Sequence, residues 1–205
     1  EIVEGYGLTE CSPVVSANPI DGQKKIGSVG LPITDVQVKI VNDQFEEVPV
    51  GEVGELVVKG PNVMKGYFNR EKENQEAFYD GWFRTGDIAK QDEDGYLYIV
   101  DRKKDVIIRS GFNVYPREVE EVLYSHPAVL EAAVIGVPDE EKGELVKAVI
   151  TIKPGFSERI VDDIKKFCKT RLATYKIPTE FEVVDEIPKT NTGKILKHQL
   201  RKMYA

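Results

Sequence analysis

The sequence contains few of the residues that build metal or disulfide sites. Among 205 residues there are only two cysteines, Cys11 and Cys168, and two histidines, His126 and His198. The cysteines lie far apart and the histidines belong to no cluster, so the sequence predicts reduced thiols in a cytoplasmic protein and no zinc site. It also has no run of eighteen apolar residues, which argues against an integral membrane segment.

Acidic side chains outnumber basic ones, and the charge is unevenly distributed. The formal net charge is −7, which argues against nucleic acid as the main partner. Residues 1–101 carry 9 basic and 19 acidic side chains, whereas residues 102–205 carry 19 and 16. This asymmetry indicates either two units with an anion held between them or two differently solvated surfaces. The chain starts without Met or a signal segment, and we expect a fragment of a longer protein.

The first half is predicted to be β-rich. Val36, Val38 and Ile40 alternate with polar neighbours, as in a half-buried strand, and further short segments are bounded by glycine. Several short strands punctuated in this way favour a small barrel or sandwich. The single tryptophan, Trp82, is expected to pack in the core.

The pattern changes after Asp101. A helix is predicted to begin at Pro116 and end near His126, followed by two buried strands and a helix capped by Ser157. The predicted fold class is therefore α+β. A β-rich, barrel-like domain portion would span 1–101, a hinge 102–104, and a small mixed α+β lid 105–205.

Four segments combine residue types that suit phosphate and nucleotide chemistry. Each is weak alone, and TGK lacks the upstream glycine of a phosphate-binding P-loop. The segments are YGLTE (6–10), WFRTGD (82–87), DRKKDVIIRSGFNVYP (101–116) and PKTNTGK (188–194).

In this order and spacing, the four segments resemble the adenylate-forming enzymes over essentially the whole chain. Within that family the chain looks most like a bacterial medium- or long-chain fatty-acid–CoA ligase. The resemblance implies a two-step reaction in which a fatty acid attacks ATP to form acyl-AMP and CoA then displaces AMP. It implies ATP and CoA as substrates and Mg²⁺ as cofactor.

The resemblance assigns the first motif to the nucleotide. Tyr6 would lie against adenine, Thr9 would hydrogen-bond phosphate, and Glu10 would help hold Mg²⁺. Gly7 would also be a nucleotide-binding residue. The structural alternatives are that Tyr6 is a core residue and that Glu10 caps a turn. Asp87 would accept both ribose hydroxyls unless it is an N-cap or turn residue.

The resemblance gives the middle motif three further roles. Arg102 would contact ribose or phosphate, and Lys104 would be the hinge on which the second domain swings. Ser110 and Gly111 would border the CoA channel, although Gly111 could equally be an ordinary turn glycine. For Lys103 we expect only a charged surface turn.

Lys194 is the predicted catalytic residue, also counted among the nucleotide-binding residues. It matches the family lysine that bridges the substrate carboxylate and the α-phosphate. Read without the resemblance, its basic surroundings indicate a solvated helix or a nucleic-acid tail. The neighbouring Gly193 and the TNT turn favour a mobile catalytic loop.

Other functions remain open at this point. An aryl-CoA ligase or luciferase shares these motifs, and a peptide-synthetase adenylation domain does so too. A non-catalytic nucleotide-binding module is also open, because the family's upstream phosphate loop is absent from this sequence. A homodimer and peripheral association with a membrane are compatible with the sequence.

Overall fold

The protein is described here by a computed structural model that covers residues 2–204, without the side chain of Glu158. The chain divides into two compact units, and the division falls between Lys103 and Lys104. No helix within residues 2–204 is long and apolar enough to cross a membrane.

The first unit is built mainly from strands, as its short apolar segments predict. Its elements are β1 (Gly5–Gly7), β2 (Val14–Ala17), β3 (Leu31–Pro32), β4 (Gln37–Val41), β5 (Gly54–Lys59), α1 (Glu71–Ala77), β6 (Phe78–Tyr79), β7 (Trp82–Gln91) and β8 (Leu97–Arg102). A short 3₁₀ turn, Thr9–Cys11, follows β1.

These strands form two antiparallel sheets. One has the order β1-β2-β3, and the other has the order β4-β5-β7-β6, with β8 also paired to β7. Neither sheet closes into a barrel within the described residues. Residues from both sheets share one core, in which Val15, Leu56 and Leu97 are fully buried. Trp82 packs with Val41 and Val57, which confirms its expected structural role.

The second unit is a mixed sheet with helices on both faces. Its elements are β9 (Ile107–Arg109), β10 (Phe112–Val114), α2 (Pro116–Tyr124), β11 (Val129–Asp139), β12 (Gly143–Ile152), α3 (Val161–Lys169), β13 (Glu180–Val183) and α4 (Lys197–Tyr204). The strand order is β10-β9-β12-β11, and β13 lies parallel to β12. This arrangement confirms the α+β class.

The long apolar runs of β11 and β12 follow from burial on both faces of the sheet. Ala132 and Val134 pack on the side of α2 and α3, whereas Ala133 and Ile135 pack on the side of α4. Because side chains alternate across a strand, a strand buried on both faces needs an uninterrupted apolar sequence.

Two local predictions differ from the structure. The helix after Ser157 begins as a 3₁₀ turn at Glu158–Ile160, and α3 starts at Val161 without a side-chain cap. Ser157 is therefore not its N-cap. Helix α1 was not predicted, because none of its residues is buried and it has no apolar stripe to reveal it.

Both cysteines are free and buried, one in each unit. Burial raises the pKa of the Cys11 thiol to about 11, with the nearby Glu10 carboxylate adding to the effect. Burial likewise raises the pKa of Cys168 to about 11. Since the thiolate is the reactive form, both thiols are chemically inert near neutral pH.

Candidate nucleotide site

Three of the predicted nucleotide-binding residues lie together in the first unit. The Tyr6 hydroxyl donates a hydrogen bond to Oδ2 of Asp87 at 2.5 Å. Arg102 Nε lies 3.7 Å from Oδ1 of the same carboxylate. Asp87 and Arg102 are direct cross-strand partners on β7 and β8, which explains their proximity. The side chain of Asp87 keeps 14% of its surface exposed, while that of Arg102 keeps 62%.

The Tyr6–Asp87 contact keeps the phenol protonated. Burial raises the pKa of Tyr6 far above its ordinary value, and the hydrogen bond to the negative Asp87 raises it further. Tyr6 therefore serves as a donor that fixes the carboxylate in one orientation. Its ring also packs against the first-unit core, as the structural alternative for Tyr6 predicts, and its contact with adenine stays a prediction.

The backbone around Asp87 is held by its neighbour Thr85. The Thr85 hydroxyl donates to the Leu56 carbonyl at 2.7 Å and accepts from the Asp87 amide at 3.0 Å. Gly86, between them, has a φ of +70°, a conformation that favours glycine. Asp87 lies inside β7, so the alternative of an N-cap residue is wrong.

Gly7 is required by a close approach of two backbones. A Cβ added at this position would lie 2.1 Å from the carbonyl oxygen of Pro13. The sequence singled out Gly7 for the nucleotide, and the structure supplies a separate steric reason for the glycine.

Glu10 and Thr9 lie on the 3₁₀ turn that follows Gly7. Glu10 does not cap this turn but accepts a hydrogen bond from the Tyr67 hydroxyl at 2.9 Å. Thr9 is exposed. The described residues contain no group of three or more His, Cys, Asp or Glu side chains that could hold a metal ion. A single carboxylate such as Glu10 nevertheless fits Mg²⁺, which takes most of its ligands from water and substrate phosphates.

A cleft of about 580 Å³ borders β7, the strand that carries Asp87. It is lined in part by Tyr67, Arg84, Thr85 and Gly86. Arg84 donates two hydrogen bonds, of 2.6 and 3.3 Å, to the buried Glu55 carboxylate. The same carboxylate accepts a third hydrogen bond from Lys103 Nζ at 3.1 Å. The expectation that Lys103 is only a solvated surface charge is therefore wrong.

The predicted CoA residues form a tight turn in the second unit. Ser110 and Gly111 join β9 to β10 with φ angles of +50° and +81°, as in the two-residue hairpin turns that favour glycine. The Ser110 amide donates to the Lys142 carbonyl at 2.8 Å. Arg109 Nη1 holds the hairpin from another side, donating to the Tyr175 and Ile177 carbonyls at 3.0 and 3.1 Å.

Lys194 ends a hydrogen-bonded turn in the second unit. Its amide donates to the Thr190 hydroxyl at 3.1 Å, and its carbonyl accepts from the Thr190 amide at 2.8 Å. Gly193 has a φ of +82°, and the Lys194 side chain is exposed. The backbone of Lys194 is therefore held by Thr190, while its ammonium group is exposed to solvent.

The basic residues around Lys194 are largely neutralised within the unit. Three of them form ion pairs, namely Lys189 with Glu131 at 2.5 Å, Lys197 with Glu120 at 2.8 Å and Arg201 with Asp105 at 2.5 Å. The alternative of a solvated basic helix is wrong for these three. Lys104 lies in the 3₁₀ turn Lys103–Asp105 with an exposed side chain.

Sequence reasoning missed several residues that hold this site. Arg84, Thr85 and Arg109 lie within the quoted motifs and Tyr67 lies outside them, and each has a partner that is distant in sequence. The signals that could have drawn attention to three of them are the positions of Arg84 and Thr85 within WFRTGD and of Arg109 within the segment 101–116.

Comparison with known families matches both units. Residues 1–68 match the model for AMP-binding enzymes, and residues 118–194 match the model for the AMP-binding enzyme C-terminal domain. The two matches lie in the order and in the units that the motifs indicate.

Named relatives agree with the family models. The chain is 50% identical over 201 residues to a long-chain-fatty-acid–CoA ligase of Escherichia coli O6:H1, covering 98% of this chain and 35% of the relative. It is 47% identical over 205 residues to a feruloyl-CoA synthase of Amycolatopsis sp, covering 99% and 41%. The chain thus spans only about 35–41% of the length of these relatives.

Solved structures show the same fold. The crystal structure of ATP-bound MatB from Rhodopseudomonas palustris matches with a TM-score of 0.92 and 38% identity, covering 99% of this chain and 40% of that one. The family matches, the sequence identity and the shared fold agree, and the chain therefore carries part of the AMP-binding domain of the AMP-binding enzymes followed by their C-terminal domain.

Proposed function

We propose that this chain is the C-terminal part of a larger AMP-forming acid–thiol ligase that activates a fatty acid with ATP and transfers it to CoA. The observation that carries this proposal is the 50% identity to a long-chain-fatty-acid–CoA ligase across 98% of the chain. The Tyr6–Asp87–Arg102 cluster supports it, since an oriented carboxylate beside a guanidinium suits a ribose and its phosphate.

In the first half-reaction, an anionic carboxylate attacks the α-phosphorus of ATP and pyrophosphate leaves. Asp87 and Arg102 hold the nucleotide, and Tyr6 keeps the Asp87 carboxylate oriented. Lys194 donates hydrogen bonds to the carboxylate and α-phosphate oxygens on which negative charge builds. When bound, Mg²⁺ neutralises phosphate charge, and Glu10 is the residue assigned to hold it.

In the second half-reaction, the CoA thiol attacks the acyl carbonyl and AMP leaves. Rotation about Lys104 takes Lys194 away and brings the Ser110–Gly111 turn to the pantetheine arm. The turn suits this role, because a Cβ added at Gly111 would meet no other atom within 4 Å in the described structure.

An aryl-CoA ligase is the second candidate. The 47% identity to a feruloyl-CoA synthase favours it specifically. A pyrophosphate-release screen with fatty and aromatic acids, run on the full-length protein that contains this chain, separates the two. Preference for fatty acids supports the first proposal, and turnover of aromatic acids alone contradicts it.

The 205-residue chain by itself provides a second test. Because it spans about 35% of the length of the ligases it matches, we expect weak AMP binding through Tyr6, Asp87 and Arg102 and no pyrophosphate exchange. Robust exchange by the isolated chain would overturn its assignment as part of a larger catalytic unit.

A further inference from the structure

Ion pairs flank the boundary between the two units on both sides, and each ion pair lies within a single unit. On one side, Lys103 Nζ lies 2.7 Å from Asp43 and 3.1 Å from Glu55. On the other side, Asp105 lies 2.5 Å from Arg201 Nη2. Only Lys104 separates these two charged residues.

The first-unit attachment is made to a rigid, buried acceptor. Glu55 lies on β5, and its side chain is 4% exposed. Burial alone would raise the pKa of Glu55, but the hydrogen bonds from Arg84 and Lys103 outweigh burial and hold that pKa below its ordinary value. The carboxylate is therefore charged at neutral pH and binds Lys103 to the sheet.

The second-unit attachment is made to the last helix. Asp105 is buried, and its partner Arg201 lies on α4 beside Leu200. Leu200 is 1% exposed and packs with Ala133 and Ile135 of the central strand β11. The first residues of the second unit are thus tied to its core through the helix that follows Lys194.

Lys104 differs from both neighbours. Its side chain is exposed, and among residues 2–204 it has no hydrogen-bond or ion-pair partner. A rotation between two attached bodies is absorbed by the backbone dihedrals of the residues that are not themselves held. The link that meets this condition here is one residue long.

We propose that Lys103 and Arg201 are positioning residues that confine the rotation of the second unit to Lys104. This inference rests on the proposed function, because it concerns the two orientations that the two half-reactions need. Each attachment keeps one neighbour of Lys104 fixed to its own unit. Arg201 also keeps Lys194 and the start of the second unit in one rigid body, so the turn of Lys104 decides where Lys194 points.

Amide hydrogen exchange of the full-length protein measures this directly and without catalysis. In Arg201→Gln, exchange in a peptide covering residues 103–107 should rise about tenfold, the factor that corresponds to about 1.4 kcal/mol of opening free energy. Arg201→Lys keeps the charge but loses the planar fork, and a smaller rise is expected. The matched control Arg117→Gln removes an exposed arginine that pairs with Glu121 on one helix and should leave this peptide unchanged.

The outcomes divide clearly. A rise confined to residues 103–107 supports the proposal, while unchanged exchange, or a uniform rise across the whole second unit, overturns it. If Arg201→Gln fails to fold, Arg201→Lys and Lys103→Gln carry the same test, and unchanged exchange in both is the contrary result.

Half-reaction rates, read together with the free energy of unfolding, separate a positioning role from a loss of stability. Arg201→Gln should slow acyl-AMP formation and thioester formation by similar factors, with the free energy of unfolding of the second unit close to that of Arg201→Lys. Failure of the proposed function would appear instead as a wild-type protein that releases no pyrophosphate. The two failures are therefore distinguishable.

Discussion

The hydroxyl of Tyr6 lies 2.5 Å from Oδ2 of Asp87, although 81 residues separate them in the chain. The contact joins the first motif to the second through different sheets of the same unit. It places an aromatic ring next to a carboxylate, two groups that suit a base and the hydroxyls of a ribose. The hydrogen bond can be removed by itself, which tests the part that Tyr6 plays in the proposed nucleotide site.

Tyr6→Phe keeps the ring and removes this donor. We expect the Kd for AMP, measured by calorimetry on the full-length protein, to rise on the order of tenfold or more, the usual range for a hydrogen bond to a charged group. Tyr98→Phe is the matched control, because it removes a 3.2 Å bond from a tyrosine hydroxyl to Asp92 in the same unit. An unchanged Kd in Tyr6→Phe would mean that Tyr6 serves only the core.

Lys194→Ala tests the catalytic assignment. Loss of a donor that stabilises charge in the transition state should slow acyl-AMP formation by about 10²–10³. Pre-made acyl-AMP should still be converted to acyl-CoA at a near-normal rate, because Lys194 would have left the site by then. Lys202→Ala, on the exposed face of α4, should affect neither step. Equal damage to both steps by Lys194→Ala would assign it to folding or docking.

Gly111→Asn separates a turn glycine from a CoA contact. Asparagine tolerates positive φ, so we expect the free energy of unfolding to change by less than about 1 kcal/mol. The added side chain should nevertheless raise the KM for CoA if the pantetheine arm passes over this turn. Gly155→Asn, at a φ of +93° in another open turn, serves as control. If the KM for CoA stays at the wild-type value, Gly111 is an ordinary turn residue.

Lys104→Pro tests the hinge. Proline fixes φ at its own position and restricts the residue before it. We expect acyl-AMP formation to survive and thioester formation to fall, because only the second step requires the rotation. Lys104→Ala keeps the backbone free and should retain both steps. If both steps keep their wild-type rates in Lys104→Pro, the pivot lies elsewhere.

Glu55 makes the stability of the first unit sensitive to acid. Its pKa in the folded protein is lowered, so it contributes stability that is present above the unfolded pKa of about 4.5 and lost as the pH falls through the folded value. Urea unfolding between pH 7 and pH 3 should show this loss in the wild-type protein. Glu55→Gln should flatten the dependence in that window.

The same substitution has a measurable cost at pH 7. We expect Glu55→Gln to lower the free energy of unfolding by about 2–3 kcal/mol. This is less than the loss for a fully buried pair, because the side chains of Arg84 and Lys103 are about one-third exposed. Glu73→Gln breaks the exposed Arg70–Glu73 pair and should change stability by less than about 1 kcal/mol. A Glu55→Gln variant as stable as Glu73→Gln would show that the buried carboxylate stabilises little.

Local patterns predicted the elements that bury an apolar face. Helix α2 and strands β11 and β12 were found because Val119, Leu123 and the long apolar runs report burial directly. Helix α1 was missed because none of its residues is fully buried, and Ser157 was misassigned because a capping residue type does not ensure a capping hydrogen bond.

The site was predictable only in part, for a related reason. The motifs identified Tyr6, Asp87 and Lys194 as chemically suited residues, but no local pattern fixes a contact across 81 or 96 residues. The ion pairs of Lys103 and Arg201 depend on where distant strands and helices pack. Lys103 was therefore mistaken for a solvated charge.

The burial of Cys11 and Cys168 has a practical consequence for spectroscopy. Two enclosed thiols with pKa values of about 11 leave the native chain almost unreactive toward maleimide dyes at neutral pH. Cysteines introduced at exposed positions such as Glu52 and Lys166, one in each unit, would then take up a fluorophore pair without removal of the native ones. Single-molecule energy transfer between the two dyes on this chain would then report the distance between its two units.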